Sequence, residues 1–173
     1  VNPMTFEEEK RFKEYLINDS HPYRNLVLIE LYTGMRLGET IALNISDIDI
    51  KSNTIRVSKI LTHDENHKPY IHDSTLSQTK DGARLVQIND AFKNNVIETI
   101  RIAETNENNK EKLLFCQDNG SLILESSVNS YLKRVAKEIG LSYWKQFSSH
   151  RLRHTFATRC IEAGISLPVL QTL

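Results

Sequence analysis

The spacing of apolar residues changes twice along this chain, and that change constrains its fold more than any other feature. Before residue 47 and after residue 89, apolar side chains recur every three or four residues, which is the period of an amphipathic helix. In the middle, apolar and polar residues alternate, as at Ile48, Ile50, Ile55 and Val57. The pattern predicts a fold that is mainly α with a small antiparallel β-sheet, of the α+β class.

Capping residues and glycines set the predicted helix boundaries. Thr5 and Glu8 have the spacing of a capping box, and glycines stand where helices are expected to stop. The first predicted helix follows Thr5, the second runs from Pro22 to Gly34, and the third covers Met35–Leu43. The fourth runs from Phe92 to Ala103, after a cap at Asn89 or Asp90. The last three run from Val128 to Gly140, from Ser148 to Gly164, and onward from Ser166.

The segment from residue 47 to residue 88 predicts two hairpins with a loop between them. The first hairpin turns at residues 51–53, and the second turns at Asp81 and Gly82 between Leu76–Thr79 and Arg84–Ile88. The polar stretch Thr62–Ser74 has no period and predicts a loop. Beyond the hairpins, Thr105–Lys112 predicts a solvated linker and Leu113–Cys116 a short strand.

Composition limits the classes of protein that remain. The 22 basic residues balance 22 acidic ones, so there is no overall positive charge of the kind that many nucleic-acid-binding proteins carry. Cys116 and Cys160 are the only cysteines and lie far apart, which is typical of a reducing compartment. No apolar run approaches membrane-spanning length. We expect a soluble, cytoplasmic protein with no membrane contact.

One polar segment raises the question of a metal. His63 and His67 are four residues apart and have carboxylates nearby, a spacing that can bind a metal ion on a helix. The segment lacks helical patterning, however, and Lys68 and Pro69 interrupt it. We therefore predict a solvated loop, no metal site and no cofactor.

A candidate anion site lies at the start of the helix that follows Ser148 and Ser149. His150 and Arg153 are three residues apart, about 4.5 Å along the axis of a helix, so both side chains can reach one ligand. Both belong to the first turn, where unpaired N–H groups and the helix dipole favour an anion. A guanidinium and an imidazole in this position suit a phosphate.

Two further segments carry basic residues with ambiguous roles. Arg36 lies between Gly34 and Gly38, and Glu39 follows at a spacing that would hold its guanidinium in place. Lys80 precedes the predicted turn of the second hairpin, and Arg84 follows it. Taken singly, Arg36 with Glu39 is best interpreted as a surface ion pair and Lys80 as a solvated lysine.

Taken together, three segments resemble the catalytic domain of the tyrosine recombinases, the integrases of phages and transposons. Residues 33–49, around Arg36 and Glu39, resemble the first box of that family. Gln78–Lys80 with residues 82–86 resembles its sheet lysine segment, and residues 150–158 resemble its second box. The three matches occur in the family's order and spacing, and they cover nearly the whole chain.

The resemblance implies a reaction, site-specific DNA cleavage and rejoining through a 3′-phosphotyrosine. It implies that Arg36, His150 and Arg153 bind the scissile phosphate, that Lys80 is the general acid, and that Glu39 orients Arg36. His150 would also help to accept the proton of the attacking tyrosine. Arg84, Arg151 and His154 are further candidate DNA contacts. No metal enters this scheme.

The resemblance also implies that residues 1–173 form a partial catalytic domain, without the family's N-terminal DNA-binding domains and C-terminal tail. The six tyrosines all precede the second box, so none matches the position of the nucleophile. We therefore expect a monomer that cannot cleave DNA by itself. Its longer parent would recombine duplex DNA together with other recombinase protomers.

Two alternatives to this interpretation remain. One is a truncated product that binds DNA or a recombinase without cleaving. The other is a phosphatase that uses His150 as its nucleophile.

Overall fold

A computed structural model describes residues 1–74 and 83–165 of the chain. The predicted strand Leu76–Thr79, the turn at Asp81 and Gly82, and the helix expected from Ser166 lie outside these residues. The chain divides into two compact units. We name Val1–Arg36 with Glu125–Leu173 the helical unit, and Leu37–Leu124 the sheet unit.

The elements follow one another in an α+β order. The helices are α1 (Phe6–Asn18), α2 (Arg24–Thr33), α3 (Leu37–Ile41), α4 (Lys93–Thr105), α5 (Glu125–Glu138) and α6 (Ser149–Glu162). The strands are β1 (Ile48–Asp49), β2 (Thr54–Val57), β3 (Lys59–His63), β4 (Pro69–Asp73) and β5 (Arg84–Gln87). Short 3₁₀ turns cover Ile45–Asp47 and Trp144–Gln146. The predicted fold class is confirmed.

In the helical unit, the helices begin and end close to the residues that the sequence predicts. The Thr5 hydroxyl accepts a hydrogen bond from the Glu8 N–H at 3.2 Å, and the Glu8 carboxylate accepts one from the Thr5 N–H at 2.8 Å. Helix α2 ends at Gly34, whose φ of 67° is the left-handed conformation of a helix C-cap. Helix α5 stops two residues before Gly140. These boundaries are local in origin, so the sequence predicts them.

The core of the helical unit consists of side chains at helical spacing. Phe12 and Leu16 of α1 are fully buried, as the sequence predicts, and the Phe12 ring stacks on Phe147 with the centroids 5.5 Å apart. Apolar faces of the other helices complete this core, including Leu26, Val27, Ile29, Val128, Leu132, Val135 and Leu152. Helices α2 and α6 pack against each other within it.

In the sheet unit, β1, β2 and β5 form one antiparallel sheet in the order β1-β2-β5. The first predicted hairpin is confirmed, with Ile48 opposite Ile55. The prediction of a loop at Thr62–Ser74 is wrong, because β3 and β4 pair there in a second, two-stranded sheet. Leu61 is the one buried residue of β3, so the hairpin is mostly exposed. Its sequence therefore shows too little alternation of apolar and polar residues to predict strands.

Two other local predictions for the sheet unit need correction. The residue before α4 is Phe92, without a side-chain cap, and the Asn89 side chain instead accepts from the Ala91 N–H. The predicted linker Thr105–Lys112 contains Asn109, which is buried and bonded to both the N–H and the carbonyl of Leu113. Leu113 makes a single β-bridge to Asn44 where a short strand was predicted. The segment around Asn109 is therefore a hydrogen-bonded turn.

Within residues 1–74 and 83–165, no helix is both long enough and apolar enough to cross a membrane.

Candidate active site

The candidate site begins at the first turn of α6, which is held by side chains from other helices. The hydroxyl of the N-cap residue Ser148 makes no capping hydrogen bond. The Ser149 N–H donates instead to the Asn129 side chain of α5 at 3.0 Å, and the Ser149 hydroxyl donates to the Glu30 carboxyl of α2. The side chain of His150, the next residue, is exposed. Tertiary contacts therefore set the position of this turn.

Arg153 links α6 to the end of α2. Its guanidinium donates a hydrogen bond to the carbonyl oxygen of Gly34, the left-handed C-cap of α2. Arg36 follows two residues later and is exposed. Arg36 belongs to the segment that resembles the family's first box, and Arg153 to the segment that resembles its second box. The hydrogen bond therefore joins Arg153 to the backbone beside Arg36.

His150 and His154 form a pair along one face of α6. Their Nε2 atoms are 2.9 Å apart, and the two rings meet edge to face with centroids 4.4 Å apart. Burial lowers the pKa of His154, and the His150 imidazole, the Val1 amino group and Arg153 lower it further. The hydrogen bond requires at least one neutral ring. His154, predicted as a DNA contact, is therefore also a direct partner of His150.

Removing His150 is expected to raise the pKa of His154. In a His150→Gln variant the imidazole that disfavours a charge on His154 is gone, so His154 should keep its proton to higher pH. Titration of the imidazole Cε1–H signals by NMR measures this shift. His63→Gln, a substitution in the sheet unit, is the matched control and should leave the His154 titration unchanged. An unaltered His154 pKa in His150→Gln would contradict the pairing.

The structure gives Arg151 contacts inside the helical unit. Arg151 is 8% exposed, its guanidinium donates to the Asn2 carbonyl, and it lies over the Tyr143 ring at 4.2 Å from the centroid. These contacts favour a structural role over the DNA contact that the sequence suggested.

Arg84 and Glu39 meet each other within the sheet unit. Two nitrogens of Arg84 donate to the two carboxylate oxygens of Glu39 at 3.0 and 2.9 Å. Glu39 thus has a bidentate partner that its spacing from Arg36 did not suggest, and its role in orienting Arg36 stays a prediction.

Lys80, the predicted general acid, lies outside the described residues, so its role stays a prediction from the sequence. Within the described part of the chain, no group of three or more His, Cys, Asp and Glu side chains could hold a metal ion. His63 and His67 lie at the two ends of the β3–β4 turn, where the Asp64 carboxylate accepts from the Asn66 and Lys68 N–H groups.

Comparison with known proteins identifies the family. A sequence profile of the phage integrase family matches residues 2–173. The chain belongs to the phage integrase family.

Relatives of this integrase-family chain include phage and cellular recombinases. It is 25% identical to the integrase of Staphylococcus phage L54a, over 98% of this chain and 50% of the relative. It is 26% identical to a XerC-like tyrosine recombinase of Caldanaerobacter subterraneus subsp. tengcongensis, over 100% of this chain and 46% of the relative. The chain thus spans about half the length of these curated relatives.

Solved structures share the fold. The Tn1549 transposon integrase, solved in complex with transposon right-end DNA, superposes with a TM-score of 0.81 at 24% identity. That match covers 98% of this chain and 56% of the other. The XerA recombinase superposes with a TM-score of 0.78 at 23% identity, over 99% of this chain and 55% of the other.

One buried residue beside the candidate site, Glu30, was not predicted from the sequence. Glu30 is 1% exposed in the otherwise apolar middle of α2, and within residues 1–74 and 83–165 its second, buried carboxyl oxygen has no hydrogen-bond partner. Complete burial raises the pKa of Glu30 to about 8, and the nearby Glu125 carboxylate adds to the rise. The signal in the sequence is a single charged residue inside the apolar run Leu26–Leu31.

The free energy of unfolding is expected to depend on the protonation of Glu30. Its pKa in the folded chain, about 8, lies above the ordinary value of 4.5, so the folded chain binds this proton more tightly. The stabilisation that this proton gives to the folded chain is complete when the pH is below the ordinary pKa of a glutamate. As the pH rises from there toward 8, the free energy of unfolding falls by up to about 1.4 kcal/mol per pH unit.

Urea unfolding at several pH values, compared with a Glu30→Gln variant, measures this dependence. Glutamine has nearly the same shape and no titration, so the variant should lose less stability over this range. Parallel pH profiles of the two proteins would show that Glu30 does not carry the effect.

Proposed function

We propose that a protein carrying this chain performs site-specific DNA recombination, cleaving and rejoining strands through a 3′-phosphotyrosine. The observation that carries the proposal is the hydrogen bond from Arg153 to the Gly34 carbonyl. It ties α6, about one turn after His150, to the segment that leads directly into Arg36. Membership of the phage integrase family and the similarity to named integrases and tyrosine recombinases support the same function.

In this proposal Arg36, His150 and Arg153 bind the scissile phosphate. The phosphodiester carries one negative charge, which becomes more concentrated on its two free oxygens as a nucleophile attacks. Guanidinium and imidazole donors that are already in place stabilise this charge more in the transition state than in the ground state. Because these groups supply the positive charge, the proposal requires no metal.

The leaving group of the reaction is a sugar hydroxyl, which needs a proton as it departs. We assign that step to Lys80, because a lysine carries a titratable ammonium that suits a general acid. His150 would help to accept the proton of the attacking tyrosine. Glu39, which forms an ion pair with Arg84, would orient Arg36.

We assign the nucleophile to none of the six tyrosines of this chain. All six precede α6 in the sequence. Tyr131 is buried and accordingly has a raised pKa, and partial burial raises the pKa of Tyr143 to about 12. A phenol that resists ionisation is a poor nucleophile. The attacking tyrosine would be supplied by a longer chain.

We further propose that the partners are duplex DNA and other protomers of the same recombinase, and that the protein works in the cytoplasm. The two free thiols, Cys116 and Cys160, are consistent with a reducing compartment. Because lysines and arginines would contact the DNA backbone, binding should weaken steeply as salt is raised.

The test is the formation of a covalent protein–DNA adduct. A longer protein that carries this chain is incubated with a nicked duplex spanning the end of its own mobile element. We expect an adduct that survives denaturing electrophoresis and disappears on protease digestion. The 173-residue chain, incubated alone with the same duplex, should form none. If the longer protein forms no adduct while still binding the duplex, the proposed reaction is wrong.

A further inference from the structure

The buried carboxyl of Glu30 is an unusual feature of the helical unit. A buried polar group normally finds hydrogen-bond partners for all its atoms, and leaving a carboxyl oxygen unpaired in the core is costly. One oxygen of Glu30 accepts from Ser149, and the other has no hydrogen-bond partner among the residues that the structure describes. Neighbouring positions of α2, Ile29 and Leu31, are apolar and buried. A leucine would pack at this position without that cost, so the carboxyl calls for a specific explanation.

Glu30 contacts both segments that carry the candidate site. Its side chain holds Ser149, the first residue of α6, directly before His150. Its backbone carbonyl accepts from the Gly34 N–H at 2.8 Å, and the Gly34 carbonyl in turn accepts from Arg153. The start of α6 is therefore fastened to α2 at two points, through the side chain of Glu30 at Ser149 and through its backbone carbonyl, by way of Gly34, at Arg153.

We propose that Glu30 is a positioning residue, which acts through Ser149 to place His150 and Arg153, and that it does so as a neutral carboxyl. This inference rests on the proposed function, because the value of placing His150 and Arg153 is their binding of a phosphate. A neutral carboxyl keeps negative charge away from a turn that must attract an anion. Loss of its proton places an uncompensated charge beside Ser149.

Charged groups of three helices lie near this part of α2. They are Glu125 of α5, Arg153 of α6 and Lys13 of α1, which lies over the Tyr32 ring, and the titratable His150 follows Ser149 in α6. The Glu125 carboxylate repels a charge on Glu30 and so favours the neutral form. Complete burial acts in the same direction and is the larger effect.

The proposal predicts a response of α6 to the pH. Between about pH 7 and pH 9 the Glu30 carboxyl loses its proton. The NMR signals of the His150 imidazole and the Arg153 guanidinium should then shift together, with one inflection near pH 8. These measurements use the 173-residue chain without DNA.

Two variants separate positioning from other effects. Glu30→Gln keeps the shape and the acceptor for Ser149 but cannot titrate, so the inflection should vanish while the shifts at pH 7 stay close to those of the original chain. Ser149→Ala removes the link and leaves the charge of Glu30 in place. If Glu30 acts through Ser149, this variant also loses the inflection at His150 and Arg153. An inflection that persists in Ser149→Ala means a through-space charge effect and overturns the proposal.

Other outcomes are equally decisive. An original chain without an inflection between pH 7 and pH 9, or a Glu30→Gln variant that keeps it, rules out positioning by Glu30. The proposed function fails by a different result, the absence of a covalent adduct from the longer protein at neutral pH. An adduct whose rate of formation falls above pH 8 in the original protein, and falls less in Glu30→Gln, supports both.

Discussion

Replacing Arg153 with alanine in a longer, cleavage-competent protein is expected to lower the rate of DNA cleavage by about 10²–10³-fold. The guanidinium donates to the Gly34 carbonyl and so lies against the segment that leads to Arg36. If it also binds the scissile phosphate, its loss removes a donor whose contribution grows as charge concentrates in the transition state. Duplex DNA affinity should fall much less, because many other phosphate contacts remain.

The comparison that decides this prediction is between cleavage and binding. Cleavage is followed by covalent-adduct formation in a single turnover, and binding by titration of a labelled duplex at fixed salt. Arg101→Ala, which removes an exposed arginine of α4, is the matched control and should change the cleavage rate little. Equal losses of cleavage and binding in Arg153→Ala would mean that Arg153 positions the DNA without acting on the transition state.

Features of this fold that depend on neighbouring residues could be predicted from the sequence. The capping box of Thr5 and the helix stop at Gly34 involve residues within four positions of each other, and both are present. The hairpin of Ile48 and Ile55 likewise follows from alternation around a short turn. The candidate residues of α6 were found for the same reason, since His150 and Arg153 belong to one helical turn.

Features that depend on distant partners could not be predicted. Ser149 bonds to Glu30, 119 positions away in the sequence, so a pair of serines before a helix suggested a local cap that the structure does not contain. Glu39 pairs with Arg84, 45 positions away in the sequence, a partner that the local spacing did not suggest. The sequence allows several carboxylate–arginine pairs, and tertiary packing determines which of these pairs form.

The largest expected effect on stability comes from Gly34→Ala. Gly34 has a φ of 67°, a conformation that costs an L-residue about 1–2 kcal/mol. A Cβ atom at Gly34 would also overlap the Phe156 ring of α6, with Cε1 at 2.8 Å. Overpacking of this kind typically costs a further 1–3 kcal/mol or so. We expect the free energy of unfolding to fall by about 2–5 kcal/mol in total, measured by urea unfolding at pH 7.

Gly140→Ala separates the two contributions to this loss. Gly140 has a φ of 78°, yet an added Cβ would meet no described atom closer than the Arg11 side chain at 4.0 Å. This variant should therefore lose only the backbone part, about 1–2 kcal/mol. Phe156→Leu combined with Gly34→Ala should recover part of the difference, because the smaller side chain can move aside.

The contact between Gly34 and Phe156 also bears on the candidate site. The Gly34 carbonyl receives the Arg153 hydrogen bond, so an alanine that pushes Phe156 away moves α6 relative to α2 at the point where the two helices are joined. In the longer protein, Gly34→Ala should reduce cleavage even where most molecules remain folded. Equal destabilisation by Gly34→Ala and Gly140→Ala would show instead that Phe156 yields freely, and that the close approach at Gly34 does not hold α6 in place.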